Sequence, residues 1–243
     1  MKLLLLAGTA EARQLAARLA ADPRFEVIAS LAGETRVPAD LGLALRTGGF
    51  GGAAGQKQFL LDNEIEAVVD ATHPFAARIS ARTQALCAGL GLAYLQVLRP
   101  GWAPGPGDDW RVVAAEKDVA AALPSGATVF LATGRKTLGR LKGLENHRVY
   151  CRQIDSPREP FPFPEGGFVV GRPPFTVAAE TALFERLGVE ALVVKDAGGG
   201  SDAKLRAARE LGVPVVMIRR PAQPPGDKVA TVAAALAWLE ARL

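Results

Sequence analysis

Along the chain, short apolar runs alternate with stretches whose apolar residues recur at helical spacing, and each change of period falls on a Gly, Thr, Pro or Asp cluster. The first case sets the pattern. Leu3 to Leu6 is a buried-strand signal, Gly8-Thr9 is a turn, and Ala10 to Ala21 has the spacing of an amphipathic helix. Strands are then expected at Phe25–Ser30, Leu43–Thr47, Ala67–Asp70 and Ala93–Leu98. The Gly-rich GGFGG at 48–52 reads as a turn into a second helix, and Thr72-His73 as a turn into a third, with Pro74 as its first helical residue. Residues 99–109, RPGWAPGPGDD, form a linker that Trp102 pins to a core or offers to a ligand. Beyond it come strands at Trp110–Ala114, Thr128–Ala132, Arg148–Ile154, Phe168–Val170, Glu190–Val194 and Val213–Ile218. Helices are expected at 116–123, after Arg135-Lys136, over 176–188, at Lys204–Leu211 and over Lys228–Leu243. The Pro-rich loop 156–167 reads as a lid or an edge connection.

This alternation predicts an α/β protein of two Rossmann-like domains with mainly parallel sheets, residues 1–99 and 100–243. With 243 residues and 49% hydrophobic content the chain has ample core for either one large or two small domains. Its charge of +4 comes from 29 basic against 25 acidic residues without any basic run. That balance suits an anionic small molecule and gives no sign of nucleic-acid binding. The first apolar run is too short to span a membrane and has no cleavage signature, so a cytoplasmic protein without membrane contact is expected. Cys87 and Cys151 stand apart with two histidines in the whole chain, and no metal site is expected.

In a parallel sheet, each strand-to-helix turn aims free backbone N–H groups beyond the strand's carboxyl end, a seat for phosphate. If the first and fourth strands are neighbours, Gly8-Thr9 and Thr72-His73 face one another across one crevice. Arg13 is a cation in the first turn of a helix, disfavoured there by roughly 0.3–1 kcal/mol unless an anion is near. It is either a residue awaiting such a ligand or a solvated surface arginine. The second strand ends in Ser30, with Arg36 following, where NAD-binding folds carry an acid. Serine plus arginine favours the 2′-phosphate of NADP, unless the two are only a strand end and a loop charge. His73 is a proton donor or simply orders its turn. In the second half, Thr133-Gly134 is followed by Arg135, and Lys195 ends a strand ahead of Gly198 and Gly199. Lys195 either meets a ligand or snorkels over the core. Paired-acid hydrolysis, a Ser/His/Asp triad and zinc hydrolysis each lack their parts. Hydride transfer, in which the cofactor carries the chemistry, is left.

The motifs GTAEAR (8–13), DATHPFAARIS (70–80), LRPGW (98–102), TGRKTL (133–138), GRPPF (171–175) and VVKDAGG (193–199) together resemble the precorrin-6A reductase family of corrinoid biosynthesis. The resemblance runs in order over most of the chain. It implies an oxidoreductase that uses NADPH to reduce precorrin-6A, or its cobalt-bearing counterpart, to the 6B form. It also implies an N-terminal cofactor domain, a ligand cleft between the two domains, and possible strand exchange between them, which makes the 99/100 boundary approximate. Arg13 and Lys195 match the family's catalytic candidates for positioning and charge stabilisation. Gly8, Thr9, Ala10, Ser30, Arg36, Ala71, Thr72 and His73 are then the cofactor residues. Gly134, Arg135, Arg172, Phe175, Gly198 and Gly199 are the substrate residues, and the partner is an anionic tetrapyrrole bound by a monomer. Ala7 replaces a glycine often found in the family, and Ala197 a serine. A non-catalytic NADP-responsive binding module, or an NADPH reductase of another polycarboxylate, are the rival expectations.

Overall fold

A computed structural model describes residues 1–33, 40–157 and 159–243. The chain divides into two units, one made of Met1–Pro100 with Pro221–Leu243, the other of Gly101–Arg220.

The first unit is built on β1 (Lys2–Leu6), β2 (Glu26–Leu31), β3 (Ala44–Thr47), β4 (Ala67–Asp70) and β5 (Ala93–Val97), with helices α1 (Ala10–Ala20), α2 (Gly52–Asp62) and α3 (Ala77–Leu90) between them. Four consecutive leucines make β1 the centre of a sheet covered on both faces, because successive side chains point to opposite sides. Leu3 and Leu5 enter a core with Leu15 and Leu19 of α1, while Leu4 and Leu6 pack with Leu60 of α2 and Cys87 of α3. Full burial of each such side chain contributes about 1.5–3 kcal/mol. Within β1–β5 the order is β5-β4-β1-β2-β3, all parallel, so β1 and β4 are neighbours as the crevice argument requires.

The second unit contains β6 (Trp110–Val113), α4 (Val119–Ala122), β7 (Thr128–Leu131), β8 (Arg148–Gln153), β9 (Glu165–Val170), α5 (Val177–Leu187), β10 (Ala191–Lys195), α6 (Ala203–Leu211) and β11 (Val215–Ile218). Its sheet is also parallel, in the order β6-β11-β10-β7-β8-β9. The Pro-rich loop leads into the edge strand β9, which begins at Glu165 rather than Phe168. Gly166 is required there: at φ +110°, a Cβ would lie 1.8 Å from the Val149 carbonyl oxygen.

Three expectations are corrected. The terminal segment is β12 (Asp227–Val229) followed by α7 (Val232–Glu240), and β12 pairs with β5, so residues 221–243 belong to the first unit and not to a 100–243 domain. The third helix starts at Ala77; residues 73–76 form a separate turn closed by the Ala76 N–H on the His73 carbonyl. The helix after Thr133-Gly134 is a 3-10 segment, Arg135–Arg140, because the Thr137 hydroxyl donates to the Thr133 and Gly134 carbonyls in place of a continuing α-turn. None of the described helices is long and apolar enough to cross a membrane.

Candidate active site

At the carboxyl edge of the first sheet, Thr9 joins the two central strands. Its Oγ1 caps α1 by accepting from the Ala12 N–H at 3.1 Å and donates to the Ala71 carbonyl at 2.8 Å. The β1–α1 turn and the end of β4 are thereby tied together. Gly8, at φ +151°, has no atom within 4 Å of where a Cβ would be, leaving the backbone before α1 open to close approach. Ala10 opens the helix, and Glu11 beside it pairs with Arg99 at 2.8 Å. Arg13 is exposed in the same turn.

The end of β4 is held by a group the sequence reading passed over. Asp70 is buried; its Oδ1 accepts from the Thr72 N–H at 3.0 Å and the Thr72 hydroxyl at 2.7 Å, and its Oδ2 from the Tyr94 hydroxyl at 2.9 Å. Burial, reinforced by the adjacent Asp70 carboxylate, pushes the Tyr94 pKa up, so the phenol stays a donor. These bonds hold Thr72 in the turn. His73 orders the next step, its Nδ1 accepting from the Phe75 N–H at 3.2 Å. The signal for Asp70 in the sequence was a carboxylate at the end of an apolar strand, which burial makes costly unless bonded.

Ser30 lies at the end of β2, and a cation does meet it. The cation is Arg46 of β3, whose Nη1 donates to Ser30 Oγ at 2.7 Å, while Nη2 donates to the Gly49 carbonyl at 2.9 Å. Its guanidinium stacks 3.8 Å from the Phe50 ring centroid, and partial burial lowers its pKa. Arg36, the residue expected here, is outside the described residues. Strand register, with Ser30 opposite Arg46, made this pair. No sequence spacing announces it.

In the second unit, Gly134 and the exposed Arg135 follow β7, Arg172 and Phe175 follow β9, and Lys195 ends β10 ahead of Gly198 and Gly199. All belong to the carboxyl edge of that sheet. β7 and β10 are its central neighbours, the place where strand order reverses. Arg172 pairs with Asp155 at 2.7 Å. Phe175 packs 4.1 Å below the guanidinium of Arg152, which forms a bidentate pair with buried Glu180. Asp196 accepts from the Trp102 N–H at 3.0 Å and pairs with Arg220, and the Trp102 indole N–H donates to the Gly199 carbonyl at 2.9 Å. Trp102 thus secures the linker to the Gly-rich loop.

Two parallel sheets with glycine turns and bonded cations at their carboxyl edges suit recognition of anionic ligands, with little carboxylate or imidazole for hydrolytic chemistry. Comparison with known proteins agrees. The family model for precorrin-6x reductase CbiJ/CobK matches residues 2–240. The chain is 43% identical to precorrin-6A reductase of Rhodobacter capsulatus, covering 98% of this chain and 95% of the relative. It is 43% identical to the Rhodococcus erythropolis precorrin-6A reductase, covering 98% and 97%. A solved structure of CobK precorrin-6A reductase superposes with a TM-score of 0.94 at 42% identity, covering 99% of this chain and 96% of the other. Fold, edge chemistry and similarity over nearly the whole length agree, and the chain belongs to the precorrin-6x reductase family.

Proposed function

We propose that this protein reduces precorrin-6A, the compound named for its relatives, to the 6B form with NADPH as reductant, a step of corrinoid biosynthesis. The cofactor assignment is carried by the end of β2, where a serine holds a guanidinium in place of the acid that would repel a 2′-phosphate. The open backbone at Gly8 fits a pyrophosphate, a place that a Cβ would fill. NADPH, when bound, supplies the hydride.

Gly8, Thr9 and Ala10 present the amino end of α1 to the cofactor's phosphates, and Ala71, Thr72 and His73, locked by Asp70 and Thr9, form the facing wall. Ser30 and Arg46 receive the 2′-phosphate. We assign Arg13, Lys195 and Arg135 to substrate carboxylates and to the charge that develops on the ring. Gly134, Arg172, Phe175, Gly198 and Gly199 shape the substrate side. Mixing the protein, precorrin-6A and NADPH should bleach the reduced-nicotinamide absorbance, and faster with NADPH than with NADH. Absence of oxidation with authentic precorrin-6A would refute the reductase assignment, and equal rates with NADH would refute the role of Ser30 and Arg46.

A further inference from the structure

Val193, Leu131 and Cys151 form one buried row across β10, β7 and β8. Side chains alternate along a strand, so two residues further on Lys195, Thr133 and Gln153 return to the face of that row, now at the carboxyl edge. Neighbouring strands are about 4.8 Å apart, so continuing the pairing of β10, β7 and β8 by two residues sets these three positions side by side. Thr133 follows β7, and the chain keeps its register up to it, since the Ala132 N–H donates to the Val193 carbonyl at 2.9 Å.

Two of the three lack what buried polar groups normally have. Gln153 is 7% exposed, and among the described residues neither its Nε2 nor the buried Thr133 Oγ1 has a hydrogen-bond partner. An amide donor left unbonded in a folded interior is rare, and a ligand that completes it is one of the few reasons to keep it. Lys195 adds positive charge to the same row.

We propose that Thr133 and Gln153, beside Lys195, form a subsite for one carboxylate of the tetrapyrrole, the hydroxyl and the amide each donating to it. The inference rests on the substrate class proposed above. Neutral donors next to one cation fix the direction of a carboxylate as well as its charge.

The test compares Gln153→Leu, Gln153→Glu and Thr133→Val with the wild type. Precorrin-6A affinity is read by absorbance titration, together with KM, kcat, NADPH affinity and Tm. Gln153→Leu should weaken precorrin-6A binding and raise KM by roughly tenfold, the loss of one hydrogen bond to a charged acceptor. Its NADPH affinity should stay the same and its Tm should not fall, because the leucine removes an unsatisfied buried donor. Thr133→Val should weaken precorrin-6A binding several-fold, and Gln153→Glu should weaken it further than the leucine by like-charge repulsion. Unchanged tetrapyrrole affinity in Gln153→Leu, with or without a lower Tm, overturns the subsite and makes the amide structural. Should that variant fail to fold, unchanged affinity in Thr133→Val overturns it instead. A wild type that binds precorrin-6A without oxidising NADPH refutes the reductase reading, and the affinity comparison still decides the subsite. A wild type that binds no precorrin-6A overturns both.

Discussion

Arg13 and Arg46 show how differently one residue type is used at the first unit's edge. Arg46 is committed to Ser30, Gly49 and the Phe50 ring, which makes it a fixed part of the wall. Arg13 is exposed on α1, and Glu11, two residues before it, pairs with Arg99. In the proposed role Arg13 acts through its charge on the substrate. Arg13→Ala should therefore lower kcat at least tenfold while changing NADPH affinity less than threefold, on the order of one charge-assisted hydrogen bond made late in the reaction. Equal losses in both constants, measured by steady-state kinetics and NADPH titration, would deny it a role in the transition state. Lys204, whose Nζ is 5.0 Å from the Trp102 ring centroid, supplies a pH signature. Burial brings its pKa down to about 8; Glu180 and Asp202 oppose that shift and Arg152 adds to it. The unfolded chain releases this proton only near 10.5, so between about 8 and 10.5 the unfolded state binds more protons and stability rises with pH. The destabilisation is complete below about 8. The wild type should gain Tm relative to Lys204→Met as pH is raised from 8 to 10; parallel Tm profiles would show that Lys204 is not desolvated.

Among the elements, α1, α5 and α7 share a threonine N-cap whose hydroxyl accepts from the N–H three residues on: Thr9 from Ala12, Thr176 from Ala179 and Thr231 from Ala234. Such a cap contributes about 1 kcal/mol. Thr9 also makes a second bond, donating to the Ala71 carbonyl at a neighbouring strand end. In urea unfolding Thr176→Val should cost about 1 kcal/mol, and Thr9→Val about 2 kcal/mol because it also leaves a buried carbonyl unsatisfied. Equal costs would show that the Thr9–Ala71 bond adds nothing to stability. The element boundaries missed from sequence have local competitors as their cause. Pro74 suits a helix start, yet the Ala76 N–H closes on the His73 carbonyl before α3 begins. Helical spacing after Gly134 is diverted into a 3-10 segment by the Thr137 hydroxyl.

For the whole molecule, the decisive feature is the return of the chain after β11. Asp227–Val229 pairs with Leu95–Val97, and Ala235 and Leu239 of α7 fill the core around Leu3, Leu15 and Leu19. Gln223 reinforces the return, donating to the Pro74 carbonyl at 3.0 Å and accepting from Gln96 at 2.8 Å. Removing residues 226–243 should uncover the β5 edge and empty part of that core, so hydrogen-exchange protection should collapse in β1, β4, β5 and α1 while β7, β10 and β11 keep theirs. Protection unchanged in β1 and β5 would show that the tail is dispensable to the first unit.

The sequence alone was enough for the α/β class, the order of all but one of the strands, and the turns carrying Gly8, Thr9, Thr72, Gly134 and Lys195. These are local properties: apolar period and turn chemistry act over a few residues. Similarity of six motifs was enough for the family. Tertiary structure decided what depends on residues far apart. A three-residue strand such as β12 has no periodicity of its own and exists because β5 offers an unpaired edge to it. The partner of Ser30 is set by the β2–β3 register, Asp70 by the reach of Tyr94 from β5, and the row Lys195, Thr133 and Gln153 by the pairing of β10, β7 and β8. Hydrogen bonds form between atoms about 3 Å apart in space, and separation along the chain places no limit on them.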